Sequence, residues 1–215
     1  AGLEADDLLG TLSRRCEAKG MEVVILAGDR DLLQLATDHV EIRIPKTKRT
    51  GTEIEDYYAA DVKERYLVTP QEFIDVKALM GDASDNIPGV PNIGEKTATR
   101  IIADYGSIEH AYEHASELKP PRAAKNLVEY WEQAKMSKVL ATINVEADFP
   151  YDLDEAKLGN LYTQEAYAYF QRLQFKNLLS RFEMQSENAL ESVFQVIHTR
   201  GEAETVFARA KQAAR

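Results

Sequence analysis

Three groups of carboxylates have the residue types and spacing to do chemistry. Glu4, Asp6 and Asp7 open an expected helix. Asp29 and Asp31 follow an apolar run, at the edge where α/β sheets bind ligands. Asp82 and Asp85 lie in a Gly-Asp-x-x-Asp loop. Carboxylates gathered with few bases repel one another, and their pKa values rise unless a cation offsets them. Hard oxygen ligands that retain water suit Mg²⁺ or Mn²⁺. Two such ions about 4 Å apart can activate a water and stabilise the leaving oxygen of a phosphodiester. Each group also has a plain structural reading. Acids in a first helical turn complement the helix dipole, and aspartates cap turns. Both readings stay open on the residues alone.

A second candidate is Gly89-Val90-Pro91-Asn92-Ile93-Gly94-Glu95-Lys96-Thr97. It nearly matches a P-loop, but Glu95 separates Gly94 from Lys96, and no strand precedes the turn. Backbone-phosphate binding fits better. Gly89 and Gly94 permit a tight hairpin with close backbone approach. A helix opening at Gly94 offers free N–H groups to phosphate, with Lys96 and Thr97 in its first turn. A helix–turn–helix packing corner is the bland alternative.

Other candidates carry less. His110 and His114 are four apart on an expected helix, without the Glu or further ligands of a zinc site. Cys16, the one cysteine, falls on an apolar helix face and excludes an intramolecular disulfide. Tyr130 and Trp131 read as core or interface. Asp29-Arg30-Asp31 alone is a weak sugar-nucleotide transferase motif.

These residues need elements to position them. The period of Leu8, Leu9, Leu12 and Cys16 predicts a helix over residues 4–19 with Cys16 and the leucines inward, ended by Gly20. Residues 22–28 read as a buried parallel strand. A helical turn over 31–36 and a strand at Val40–Ile44 follow. Residues 46–51 read as a basic loop. Helices are expected over 59–67 and 70–80, the second capped by Thr69 with Pro70 at its first position. Residues 81–92 are turn chemistry, and residues 94–141 read as short helices broken at Gly106 and Pro120-Pro121. A helix pair over 163–182, a linker over 184–192, a strand at Val193–His198 and a helix at Glu202–Ala214 complete the reading.

The 215 residues carry 36 acidic and 26 basic side chains, a net charge of −10. That bulk field opposes nucleic acid. Residues 1–85 hold 18 acids and 11 bases, and the surplus of seven equals the seven clustered carboxylates. Residues 86–140 are balanced, with seven of each. No apolar run is long enough to span a bilayer, and no secretory signal is visible. A reducing, cytoplasmic setting without membrane contact is expected. The chain begins with Ala1, already inside the first helix, which reads as a piece cut from a longer chain.

In order and spacing, Glu4-Ala5-Asp6-Asp7, Gly28-Asp29-Arg30-Asp31, Gly81-Asp82-Ala83-Ser84-Asp85-Asn86-Ile87-Pro88-Gly89-Val90 and Ile93-Gly94-Glu95-Lys96-Thr97-Ala98 resemble one family. It is that of the 5′-nuclease domains of bacterial DNA polymerase I, in the flap endonuclease superfamily. The resemblance covers residues 1–183. It implies an α/β fold: a partial Rossmann-like (PIN-like) nuclease core over residues 1–85, then a helix–three-turn–helix (helix-hairpin-helix) DNA-binding and helical region over 86–183. Residues 184–215 resemble a linker and the start of a 3′–5′ exonuclease-like domain. The implied activity is Mg²⁺- or Mn²⁺-dependent hydrolysis of 5′ flaps, nicked duplex and RNA-primed DNA in replication and repair, in a nucleoid-associated protein. By position, Glu4, Asp6, Asp7, Asp29, Asp31, Asp82 and Asp85 match the metal-binding acids. Gly89, Val90, Ile93, Gly94, Lys96 and Thr97 match the duplex-gripping element, which in this family often holds K⁺ through backbone carbonyls. Polymerase domains in the same parent chain are implied partners. The family's opening strand, with its metal-binding Asp, and its basic arch have no counterpart here, so weak or absent cleavage by this chain alone is expected. A non-catalytic DNA-binding module is the alternative.

Overall fold

The computed structural model describes residues 2–49, 51–182 and 197–213. Residues 1–149 form one compact unit and residues 150–215 another.

The first unit opens with α1 (Ala5–Glu17), β1 (Val23–Leu26), a buried 3-10 turn (Asp31–Leu35), β2 (Val40–Lys48) and β3 (Gly51–Tyr57). Helices α2 (Ala59–Tyr66), α3 (Pro70–Met80), α4 (Glu95–Tyr105), α5 (Ile108–Glu113), α6 (Pro121–Glu129) and α7 (Trp131–Ala141) follow. β1 pairs in parallel with β2, in the register Val23↔Val40 and Ile25↔Ile42. β3 returns antiparallel to β2. One core runs from the sheet into the helices, through Leu32, Leu33, Val40, Ile42, Val76, Leu79, Ile101, Ile102 and Leu127. α3 is its axis: Phe73 to Leu79 are all buried, and the helix packs on the 3-10 turn, α4 and α7. Thr69 caps α3 as expected, accepting the Glu72 N–H. The breaks at Gly106 and Pro120 also stand where expected.

Three elements differ from expectation. The stripe Leu8, Leu9, Leu12 and Cys16 is only half-buried, and α1 buries Gly10, Thr11 and Ser13 instead. Gly10 lies against Ile143, Val145 and Leu35, where a larger residue would not fit without shifts. β1 is shorter than 22–28, and its Val24 and Leu26 are 53% and 66% exposed, so only Ile25 is fully buried. The basic loop is a hairpin. Lys46 and Lys48 continue β2, and charge pairs Lys46–Glu55, Lys48–Glu53 and Arg43–Asp56 replace apolar contacts across it. An alternation of charges rather than of apolar residues hid that strand.

A segment after α7 folds back onto α1. The buried Gln34 donates to Ala141 O and accepts the Ile143 N–H. The buried Thr11 hydroxyl donates to Asn144 O and accepts the Ala147 N–H. Arg15 adds a bond to Ala147 O at 3.0 Å.

The second unit holds α8 (Gln164–Arg172), capped by the Thr163 side chain. Residues 176–182 are helical, and Phe182 gathers Tyr162, Tyr167 and Phe170 edge-on around it. A last helix spans Arg200–Ala213. The expected linker at 184–192, and all of the expected strand except Ile197 and His198, lie outside the described residues; those two are not in a strand.

The loop after α3 is closed by two glycines. Gly81 (φ +71°) and Gly89 (φ +59°) touch backbone to backbone, and a Cβ on Gly89 would lie 2.3 Å from Gly81 N. Between them, Asp82 and Ile87 exchange backbone bonds of 2.9 and 2.8 Å. Gly89→Ala should therefore lower the unfolding free energy by more than about 2 kcal/mol. Gly159→Ala, with open space at its Cα, should change it by less than about 0.5 kcal/mol. Equilibrium urea unfolding of the two variants compares them.

Candidate functional site

The turn after β1, the loop after α3 and the N-terminus of α1 converge because α1, β2 and α3 all pack on the buried 3-10 turn, and β1 pairs with β2. They enclose, with the end of α7, a cleft of about 410 Å³. Its walls carry Glu4, Asp6, Asp7, Asp29, Asp31 and Asp85, six of the seven expected carboxylates. Asp82 joins them from the side: one carboxylate oxygen each of Asp31, Asp82 and Asp85 lies within 4.8 Å of the others.

The seven are not equivalent. Asp7 is committed to backbone: one oxygen accepts the Glu4 N–H at 3.2 Å and the other the Asn144 N–H at 2.9 Å. Asp29 accepts the Asp31 N–H at 2.9 Å, closing the turn. Asp82 accepts from the Ser84 N–H and hydroxyl. The carboxylates of Asp6 and Asp85 make no hydrogen bond among the described residues. Burial raises the Asp6 pKa, and the charges of Asp29, Glu4, Asp7 and Asp85 raise it further. Crowded acids with open oxygens and a raised pKa fit a divalent cation.

Sequence reasoning missed the base among these acids. Lys77 Nζ, on α3 and only 7% exposed, lies 2.6 Å from Asp31 and 2.5 Å from Asp82. Burial works against its charge, but its bonds to the two aspartates hold its pKa above the ordinary value. The two partners respond differently. Burial outweighs Lys77 at Asp31 and raises its pKa. At the more exposed Asp82, the bonds from Lys77 and Ser84 hold the pKa well below the carboxylate range. The signal was present: Lys77 is a lysine inside a helix whose neighbours are nearly all apolar. Asn144 and Gln34 were also missed, and their partners lie more than 100 residues away in sequence.

The second candidate is the turn leading into α4. Gly94 is the N-cap of α4, and its carbonyl accepts the Thr97 and Ala98 N–H groups. Gly94 and Lys96 are exposed and Thr97 is half-buried. Gly94 has open space where a Cβ would stand, so the first-turn N–H groups are approachable. Gly89, Val90 and Ile93 are buried, so only their backbone could meet a ligand. Asn92 takes a left-handed φ of +63°. Three side chains hold this turn: Gln133 donates to Gly89 O, Asn126 to Pro91 O and Arg122 to the Asn92 side chain. Val90 O accepts the Ile93 N–H. A K⁺ ion held by carbonyls would share those of Gly89, Val90 and Pro91 with existing bonds.

His110 and His114 bond to backbone carbonyls on an accessible face rather than forming a ligand cluster. Trp131 stacks on Tyr112 at 4.2 Å against the core.

Comparison with known proteins shows the family of the chain. The family model for the 5′–3′ exonuclease N-terminal resolvase-like domain matches residues 1–67, and that for the 5′–3′ exonuclease C-terminal SAM fold matches residues 68–164. The chain is 42% identical over 183 residues to DNA polymerase I of Bacillus caldotenax, covering 85% of this chain and 21% of that protein. It is 40% identical over 195 residues to DNA polymerase I of Bacillus subtilis (strain 168), covering 88% of this chain and 22% of that one. The chain thus spans about a fifth of the length of these relatives. A structure of bacteriophage T5 5′-exonuclease with bound zinc superposes at TM-score 0.56 and 26% identity, covering 66% of this chain and 51% of the other. The T5 D15 flap endonuclease solved with DNA and metal ions superposes at TM-score 0.54 and 25% identity, covering 67% and 50%.

Lys77→Met should leave Asp31 and Asp82 without their buried counter-charge and cost about 3 kcal/mol in EDTA at pH 7. Millimolar Mn²⁺ should restore part of that loss. Because Lys77 depresses the Asp82 pKa, its contribution is complete above the ordinary aspartate pKa and fades as pH falls below about 4. The gap between wild type and variant should narrow there. Urea unfolding with and without Mn²⁺, at pH 7 and pH 3, checks both statements.

Proposed function

From the premise that this chain belongs to the 5′–3′ exonuclease family, we propose that it carries the metal-dependent 5′-nuclease site of a DNA polymerase I. The substrate class is DNA with a 5′ end or 5′ flap on a duplex, RNA-primed strands included. The proposed reaction is phosphodiester hydrolysis leaving a 5′-phosphate. The observation that carries it is the gathering of Glu4, Asp6, Asp7, Asp29, Asp31 and Asp85 in one cleft, with Asp6 and Asp85 unbonded.

Mg²⁺ or Mn²⁺, when bound there, would supply an activated water and a Lewis acid for the leaving oxygen. The chain's own residues divide the remaining work. Asp6, Asp29, Asp31, Asp82 and Asp85, with Glu4, would hold the ions. Asp7 orients α1 against the returning segment through Asn144. Lys77 keeps Asp82 ionised and fixes it relative to Asp31. At the second element, the first-turn N–H groups of α4, Lys96 and Thr97 would hold a duplex phosphate without base readout. The polymerase domains of the parent protein and nucleoid association belong to the same proposal.

A non-catalytic DNA-binding module is the second reading. Lys77 favours it, since a built-in base offsets part of the charge that a metal would otherwise neutralise. Metal binding separates the two. Asp85→Asn should weaken Mn²⁺ binding by the chain at least tenfold and abolish flap cleavage in the polymerase-length protein. Duplex affinity in Ca²⁺ should change by less than twofold. No Mn²⁺ binding by wild type would favour the second reading. Lys96→Ala should weaken duplex binding evenly across sequences and reduce the log–log salt slope by about one. Fluorescence anisotropy between 50 and 200 mM salt measures this.

A further inference from the structure

Ser137 and Gln133 are one helical turn apart on α7 and act on the same residue. The Ser137 hydroxyl, with the side chain fully buried, accepts the Gly89 N–H at 3.0 Å. The Gln133 amide donates to Gly89 O at 2.7 Å. Both polar groups of Gly89 are thus held by side chains of one rigid helix. Gly89 is also the junction of the two candidate sites. Behind it, its backbone presses on Gly81, where the loop carrying Asp82 and Asp85 begins. Ahead of it, Val90 donates to Leu79 O at 2.7 Å, and the turn runs on to Gly94 and α4.

We infer that Ser137 and Gln133 are positioning residues that set the spacing between the metal-binding loop and the phosphate-gripping turn through Gly89. They touch neither an ion nor DNA. A buried N–H or C=O stripped of its partner costs more than the bond contributed, so Gly89 will move to find another partner. Because Gly81 and Gly89 are in backbone contact, that movement shifts both the Asp82–Asp85 loop and the entry to α4. The two binding functions should therefore fail together.

The inference rests on the nuclease reading, and its test separates the two. Ser137→Ala removes the acceptor, and Gln133→Met removes the donor at nearly constant volume. Ser107→Ala, which removes the cap of α5, serves as a destabilised control away from Gly89. Mn²⁺ affinity is read from the free-ion signal in electron paramagnetic resonance. Affinity for a flapped duplex in Ca²⁺ is read by anisotropy. Both are measured on the whole chain, well below each variant's melting temperature. Ser137→Ala and Gln133→Met should each weaken both affinities three- to tenfold, while Ser107→Ala leaves both within twofold. Variants that lose thermal stability like the control yet bind ion and duplex as wild type does would overturn the inference. So would a loss confined to one of the two ligands. Wild-type protein that binds neither ligand would overturn the nuclease reading, and this inference with it.

Discussion

Like charges cannot share a cleft unless something holds them there, and most of this molecule is organised around that constraint. The acids come from three chain segments, and three devices fix them. Asp7 is tied by backbone N–H groups, Asp29 by its own turn, and Asp31 and Asp82 by the buried Lys77. What remains unbonded, at Asp6 and Asp85, is where a cation has most to offer. A buried lysine between two carboxylates is a poor way to gain stability, because desolvation offsets much of the Coulomb attraction. Its effect is geometric. It fixes the interval between the turn after β1 and the loop after α3 from a helix that is itself locked in the core.

The same helix explains why one compact unit contains both candidate sites. α3 buries almost every side chain from Phe73 to Leu79, so it cannot tilt without opening the core. Its C-terminus delivers Gly81, and Gly81 delivers the loop of Asp82 and Asp85. Asp75 on the same helix accepts from Lys138 of α7 and from the Ile108 N–H. α3 is thereby fastened to α5 and α7 by charge as well as by packing. The returning segment after α7 then closes the far wall of the cleft, against α1 through Thr11 and against the 3-10 turn through Gln34. Polar residues make these closures because a hydrogen bond fixes direction, where an apolar contact would tolerate sliding.

Much of this was legible in the residues, and what was not has physical causes. Thr69-Pro70, Gly106 and Pro120-Pro121 act locally, so they marked helix boundaries correctly. The three acidic groups were legible because carboxylates in such numbers have few structural uses. The buried face of α1 was misread because Gly10 and Thr11 look like poor core residues. They are inward because a chain segment more than 130 residues away needs close approach and bonding partners there. β3 was missed because Glu53, Glu55 and Asp56 pair by charge with β2 and lack the apolar alternation of a half-buried strand. Gln133 and Ser137 were invisible for one shared reason. Their meaning lies wholly in partners that only tertiary structure supplies.

The charge balance carries the last step. A net charge of −10 opposes DNA when treated as a uniform field. The surplus acid of residues 1–85 is instead concentrated in one cleft and its edge, where Lys77 already offsets part of it. The region from 86 to 140 is neutral and presents helix N–H groups and Lys96 at its surface. An anionic backbone would therefore meet no net repulsion at the gripping turn. It would be repelled at the cleft until divalent ions reverse the local sign. On the proposed reading, metal occupancy would decide whether the scissile phosphate can approach at all, while affinity for the rest of the duplex would be set elsewhere. On that reading, binding and cleavage would depend on different ions and different residues, coupled through the backbone path from Asp82 to Gly94 and through α3, which ends at one site and packs on the helix of the other.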